Sequence, residues 1–284
     1  MLSLSRWGLV ALALGLAATP CKAQEASTGP RGYSTLTSAA GNVALGAVTA
    51  ALGQAIRRKP VTRASLQGAF GGALVFAGKS LIAQNHQATN LLARQVAAIG
   101  SSGVRNAAGG RGFADELALP YGPFRLHVLT TRRPKVRLKL DLAMTMVTIR
   151  AAFDREVAFD PARSFASGVA VFETDSTLPG RTTGGSYTGG VVRFRVKTPL
   201  VVLDANAVRE LVGHEFVHAV QSDFVFNAWV GPIEEKLLAP TDAGRRINRY
   251  VDLGLNVPLW SVLNSLVPYR ERPWEREAVA LAKR

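Results

Sequence analysis

The stretch Leu211-Val-Gly-His-Glu-Phe-Val-His-Ala-Val-Gln221 constrains this chain more than any other. On an α-helix, residues four apart lie one above the other, so His214 and His218 can close on a single metal ion. Glu215 follows the first histidine and projects beside that position, where a carboxylate can take a proton from activated water. The helix around them is uncharged: Val212, Phe216, Val217, Ala219 and Val220, with Val208 and Leu211 extending the apolar surface upstream. That is the pattern of a buried helix. The plain alternative is an amphipathic helix that happens to carry two histidines. The chain has 4 histidines, however, and two of them fall here. A zinc site with an open position needs a third protein ligand. Downstream, Pro273-Trp-Glu-Arg-Glu-Ala278 offers two glutamates on a segment opened by a proline, which suits a helix start.

Together, His214-Glu-Phe-Val-His-Ala-Val-Gln221 and Glu275-Arg-Glu-Ala278 resemble the gluzincin group of zinc metallopeptidases. They are most similar to bacterial members of unknown substrate that pair HExxHxxQ with a later ExEA helix. The resemblance covers roughly residues 184–284. It implies an α+β, zincin-like catalytic region with a mixed sheet, an active-site HExxH helix and a C-terminal ligand helix. It also implies Zn²⁺ held by His214, His218 and Glu275, Glu215 as general base, and a peptide or protein substrate. In that pattern the glutamate three residues before the alanine is the ligand, which selects Glu275 and leaves Glu277 in reserve. Helical geometry agrees, because side chains two residues apart point ~200° apart and only one can face the metal. Ala278 and Val279 lie on the side of Glu275, so Glu277→Ala is expected to cost little zinc affinity. The plain alternative puts both glutamates on a solvated helix face. Similar sequences continue E-A-D, with the aspartate orienting a zinc-bound histidine. Here Val279 stands in its place, and the orienting role has no candidate.

At the other end, residues 1–23 read as an export signal. Arg6 supplies a positive start, Trp7 to Ala18 an apolar run shorter than the ~20 residues of a spanning helix, and Cys21-Lys-Ala23 a small residue before cleavage. The expected location is periplasmic or extracellular. Cys21 is the single cysteine, so no disulfide framework is available. Charge is uneven: up to Lys139 there are 17 Lys/Arg against 3 Asp/Glu, and from Leu140 onward 17 against 17, so the net +14 lies in the first half. Such asymmetry suggests two regions with different tasks. The expected division is a basic Gly/Ala-rich helical region at 24–119 and the zincin-like region at 120–284.

Within the first region, Gln24 to Ser38 reads as a polar linker. Asn42 to Ile56 and Leu66 to Gln84 read as helices, the first ended by Arg57-Arg-Lys-Pro60 and the second capped by Thr62 or Ser65. Glycines 68, 71, 72 and 78 allow close helix approach. A packed hairpin is one reading; the other is an element held against an anionic membrane surface by basic residues. Asn85 to Ile99 is expected to form a third helix, with His86 on its surface, and the Gly/Ser/Arg-rich stretch 100–112 a loop.

From Pro123 the period shortens to two. Phe124 to Leu129 and Val136 to Leu142 alternate as half-buried strands, with Arg137, Lys139 and His127 expected on the exposed face. Val169 to Thr174 reads as a strand. In Ser186 to Lys197 an apolar face (Val192, Phe194, Val196) alternates with a basic one (Arg193, Arg195, Lys197). That strand either pairs with extended substrate or is plain sheet. Asp204 or Asn206 is expected to cap the HExxH helix, and Thr241 or Asp242 the helix from Ala243. Tyr250 and Tyr269 are both available as hydroxyl donors, and nothing in the sequence chooses between them.

No phosphate-binding glycine loop and no Ser/His/Asp arrangement is present. The pI of 10.7 lacks an accompanying nucleic-acid motif, so no nucleic-acid partner is expected. Two functions remain: an exported zinc peptidase, or a non-catalytic envelope protein whose basic helical half binds anionic lipid or wall polymer.

Overall fold

A computed structural model describes residues 34–131, 133–155, 157–174, 183–188, 191–196 and 205–283; at 157, 174, 183–188, 191–196, 205–208 and 270 it describes the backbone alone. Ser34 opens the first helix, its hydroxyl accepting from the Thr37 N–H at 3.1 Å. Three long helices follow: α1 (Thr35–Ile56), α2 (Thr62–Ala83) and α3 (Asn90–Ala108). The last runs through residues 100–108 of the loop expected at 100–112, and 109–112 remain outside the helix. Glycine weakens an isolated helix by ~1 kcal/mol, but here its missing side chain is what lets the helices meet. A Cβ on Gly100 would lie 2.5 Å from the Gly71 carbonyl oxygen, and one on Gly72 2.1 Å from that of Asn42. Packing therefore overrides propensity. The third helix starts later than expected, with His86 exposed in the turn before it, and no side chain caps α2.

Next come β1 (Glu116–Tyr121), β2 (Phe124–Leu129), β3 (Lys135–Asp141), α4 (Leu142–Ala152), β4 (Val157–Phe159), α5 (Pro161–Ser167), β5 (Ala170–Thr174), β6 (Thr183–Thr188) and β7 (Val191–Val196). Then follow α6 (Ala205–Val225), α7 (Gly231–Leu238), α8 (Asp242–Tyr250), β8 (Val251–Asp252), α9 (Asn256–Leu266) and α10 (Pro273–Ala282). The fold is α+β, with two four-stranded sheets ordered β1-β2-β3-β8 and β4-β5-β7-β6. Pairing is antiparallel except for β3 with β8 and β5 with β7. The predicted cap at Thr241 is present, its hydroxyl accepting from the Gly244 N–H at 2.9 Å. The cap expected at Asp204 or Asn206, the side chains of the basic strand and the segment 1–33 lie outside what is described.

The β2–β3 hairpin has the expected period but the opposite orientation. Its polar residues face inward: Lys139 is only 4% exposed, while Val136 is 65% exposed and Leu138 also faces solvent. His127, expected at the surface, is buried between Glu116 (Nδ1···Oε1 3.1 Å) and Asp252 (Nε2···Oδ2 3.5 Å). Lys139 donates to Asp252 at 2.9 Å, and Arg125 to Asp141 at 3.1 Å. A run of cations can turn inward because matching carboxylates wait there; without them the desolvation cost would forbid it. Arg137 alone keeps its predicted exposure.

The principal core draws on both halves of the chain. It joins Val75, Ile82, Ala97 and Val104 of the helical layer to Val171, Val212, Phe216, Val220, Ala278 and Leu281. Helix α6 lies deepest. A Cβ on Gly213 would sit 2.1 Å from the Ala83 carbonyl oxygen, so α6 crosses the end of α2 backbone to backbone. Arg94 of α3 ties in from the far side, its Nε donating to Asp223 Oδ2 at 2.8 Å and its Nη1 to the Gly168 carbonyl. Removing one partner of a buried pair strands the other charge, at about 3–5 kcal/mol. Arg94→Met should therefore lower urea-unfolding stability by about that amount, whereas Arg137→Met on the exposed face should stay within about 0.5 kcal/mol.

Candidate metal centre

Helix α6 carries His214 and His218 on one face, and α10 brings Glu275 over them. The three ligand-capable atoms lie within 4.8 Å of one another. His214 Nε2 and His218 Nε2 are 3.0 Å apart, and Glu275 Oε2 stands 3.2 Å from the first and 3.1 Å from the second. Donors around one tetrahedral cation at ~2.1 Å bonds would be ~3.4 Å apart. The observed triangle is slightly contracted from that, and two imidazoles with one carboxylate form a donor set suited to zinc. Glu277, two residues on, points away from this group, as the helical geometry requires.

Burial and the shared Glu275 carboxylate set the electrostatics of this group. Burial drives the His214 pKa down, against the hydrogen bond that its ring donates to the Glu275 carboxylate, which raises it. Burial also acts to lower that of His218, but Glu275, Glu215 and the Gln221 hydrogen bond together outweigh it and hold the imidazolium to about 9. Burial of the half-buried Glu275 acts to raise its pKa, yet the His218 charge and the two ring hydrogen bonds keep its carboxyl well below the ordinary range. Glu215 is buried, and no described Lys or Arg pairs with it. Burial, with the Glu275 charge adding to it and His218 opposing, pushes its carboxyl up to about 8.

The missing orienting group is Gln221, one turn beyond His218. His218 Nδ1 donates to Gln221 Oε1 at 2.7 Å, which leaves Nε2 directed at the triangle. The amide cannot turn over, because its Nε2 donates to the Trp274 carbonyl at 3.0 Å and to Glu277 Oε2 at 2.8 Å. Glu277 is in turn gripped by Lys79 Nζ (2.8 Å), Asn42 Nδ2 (2.6 Å) and Ser38 Oγ (2.7 Å). Lys79, Asn42 and Ser38 come from α1 and α2. Neither glutamate therefore lies on a solvated face, and Glu277, whose replacement was expected to cost little, is buried among polar partners. Its carboxyl, which burial alone would raise, is held by Lys79 and these hydrogen bonds at about 2.

Sequence reasoning missed Gln221's role, Glu277's burial and the part played by Lys79. The available signals were Gln221's spacing of three from His218 and the isolation of Lys79 within an apolar helix. Of the two tyrosines, Tyr250 is exposed. Tyr269 lies beside the site: burial, then the nearby Glu275 carboxylate, push its hydroxyl well above the usual range. Arg272 Nη1 stands 3.9 Å from Glu275 Oε1. No protein-family model, curated protein or solved structure matches the chain.

Gln221→Leu removes the partner of His218 Nδ1 and should weaken zinc binding about 10–100-fold, read by competition with a chelating dye. Glu277 also sets an acid limit. Its folded pKa lies below the ordinary value of 4.5, so its stabilisation is full above about pH 4.5 and is lost as pH falls toward 2. The metal-free melting temperature should drop through that window, and Glu277→Gln should flatten the drop while lowering the neutral-pH value.

Proposed function

We propose that this chain is an exported zinc-dependent peptidase of zincin-like architecture. The observation that carries the reading is the convergence of His214, His218 and Glu275 on one point, with the buried Glu215 next to it in sequence. His214 Nε2, His218 Nε2 and a Glu275 oxygen would hold the metal. Bound there, Zn²⁺ supplies Lewis acidity toward a scissile carbonyl and lowers the pKa of water.

Glu215 acts as general base. Its carboxylate accepts the proton released when water adds to the peptide carbonyl carbon, and it gives that proton to the leaving amine nitrogen as the C–N bond breaks. A carboxyl that burial raises toward neutral pH is matched to both halves of this transfer. A divalent cation nearby favours its ionised form at the start of the cycle. Gln221 keeps His218 in the tautomer that offers Nε2, and Glu277 keeps Gln221 from rotating. Tyr269 stays protonated at neutral pH and is available to donate to the carbonyl oxygen as negative charge develops there.

The test is a pair of measurements on the chain lacking residues 1–23. It should bind about one equivalent of zinc and cleave a casein or peptide-library substrate. Glu215→Gln should retain zinc and fold while losing hydrolysis by about 100-fold or more. His214→Ala with His218→Ala should lose zinc. Hydrolysis unchanged in Glu215→Gln, or zinc unaffected by the double histidine variant, would favour the non-catalytic envelope reading.

A further inference from the structure

The α1–α2 hairpin presents an outward apolar surface that stays exposed among the described residues. α1 has 22 residues, none charged, and spans ~33 Å at 1.5 Å per residue. Its inward side is accounted for: Ser38 and Asn42 reach Glu277, and Gly46 and Ala50 meet α2. Outward it carries Leu45, Val48 (53% exposed), Leu52 (56%) and Ile56 (83%), spaced three and four apart as a single stripe. Leu66 and Phe70 of α2 are exposed as well. A helix on a water-facing surface places charge on that side; this one places leucine and valine there. Both helices are long and apolar enough to cross a membrane. However, α2 is gripped by Glu277 through Lys79 and packs against α3 and α6, which leaves the outer side for contact with lipid.

Charge identifies what kind of surface this one meets. The turn between the helices exposes Arg57, Arg58 and Lys59, the first turn of α2 exposes Arg63, and no Asp or Glu occurs between Glu25 and Asp115. We infer that the outward face of the α1–α2 hairpin docks on an anionic phospholipid bilayer. In that arrangement Val48, Leu52 and Ile56 enter the acyl boundary and the basic turn meets the lipid phosphates. The inference stands apart from the peptidase reading, since the stripe and the turn contain no residue of the metal centre.

Flotation of residues 24–284, which keeps every described residue, with vesicles of phosphatidylcholine alone or with added phosphatidylglycerol, tests it. The chain should float with the anionic vesicles about tenfold more than with the neutral ones. Leu45→Gln, Val48→Gln and Leu52→Gln together should cut that binding about tenfold with the melting temperature unchanged, since these side chains are exposed. Arg57→Gln, Arg58→Gln and Lys59→Gln together should abolish the preference for anionic lipid and serve as the second, independent variant. No flotation with anionic vesicles would overturn the inference. So would equal binding by the triple-glutamine apolar variant, which means electrostatic adsorption alone. A lipid-free dimer that this variant converts to monomer would overturn it too, by showing that a second copy covers the face.

Discussion

A single buried carboxylate, Glu277, is the joint on which this structure turns. A carboxylate taken out of water must be fully partnered to be tolerated. Glu277 has four partners: Lys79, Asn42, Ser38 and Gln221. They arrive from three different helices, so satisfying one charge fixes where α1, α2 and α6 lie relative to α10. The same α10 carries Glu275 on its other side. Positioning the helix through Glu277 therefore also positions Glu275 over the two imidazoles. Through Gln221, the identical network sets the tautomer of His218. The basic helical half is thus part of the support of the His214–His218–Glu275 group, linked to it by hydrogen bonds as well as by the shared core.

The β2–β3 hairpin follows the same logic on a larger scale. Arg125, His127 and Lys139 are buried because Glu116, Asp141 and Asp252 meet them, and Asp141 additionally caps α4 through the Met144 N–H at 2.9 Å. Alternation along a strand gives two faces but carries no sign. Which face turns inward depends on what the neighbouring elements offer. Here the neighbours offer carboxylates, and valine and leucine face outward.

These cases mark the boundary of what the residues alone could tell. The HExxH helix was legible because its chemistry is local: the spacing of His214 and His218 and the uncharged residues between them are properties of one helix. Glu275 was legible through its motif and through helix periodicity. Glu277 was not, because its partners stand 198 and 56 positions away at Lys79 and Gln221, and no local pattern encodes such a pairing. The helical stretch at 100–108 was missed for a related reason. Glycine and serine disfavour a helix locally, and distant contacts explain why they are there: Gly100 meets Gly71, Gly103 meets the Phe113 ring, and the Ser101 and Ser102 hydroxyls accept from Asn227 and from the Ala118 N–H. Period and local chemistry could be read from the chain; orientation and long-range charge pairing could not.

The proposed zinc chemistry requires His214, His218 and Glu275 to serve as one ligand set. X-ray absorption at the zinc edge of the zinc-loaded chain tests this most directly. It should show two imidazole nitrogens and carboxylate or water oxygens at ~2.0–2.2 Å, falling to one imidazole in His218→Ala. A first shell with no imidazole scattering, or one unchanged by His214→Ala and by His218→Ala, would contradict it.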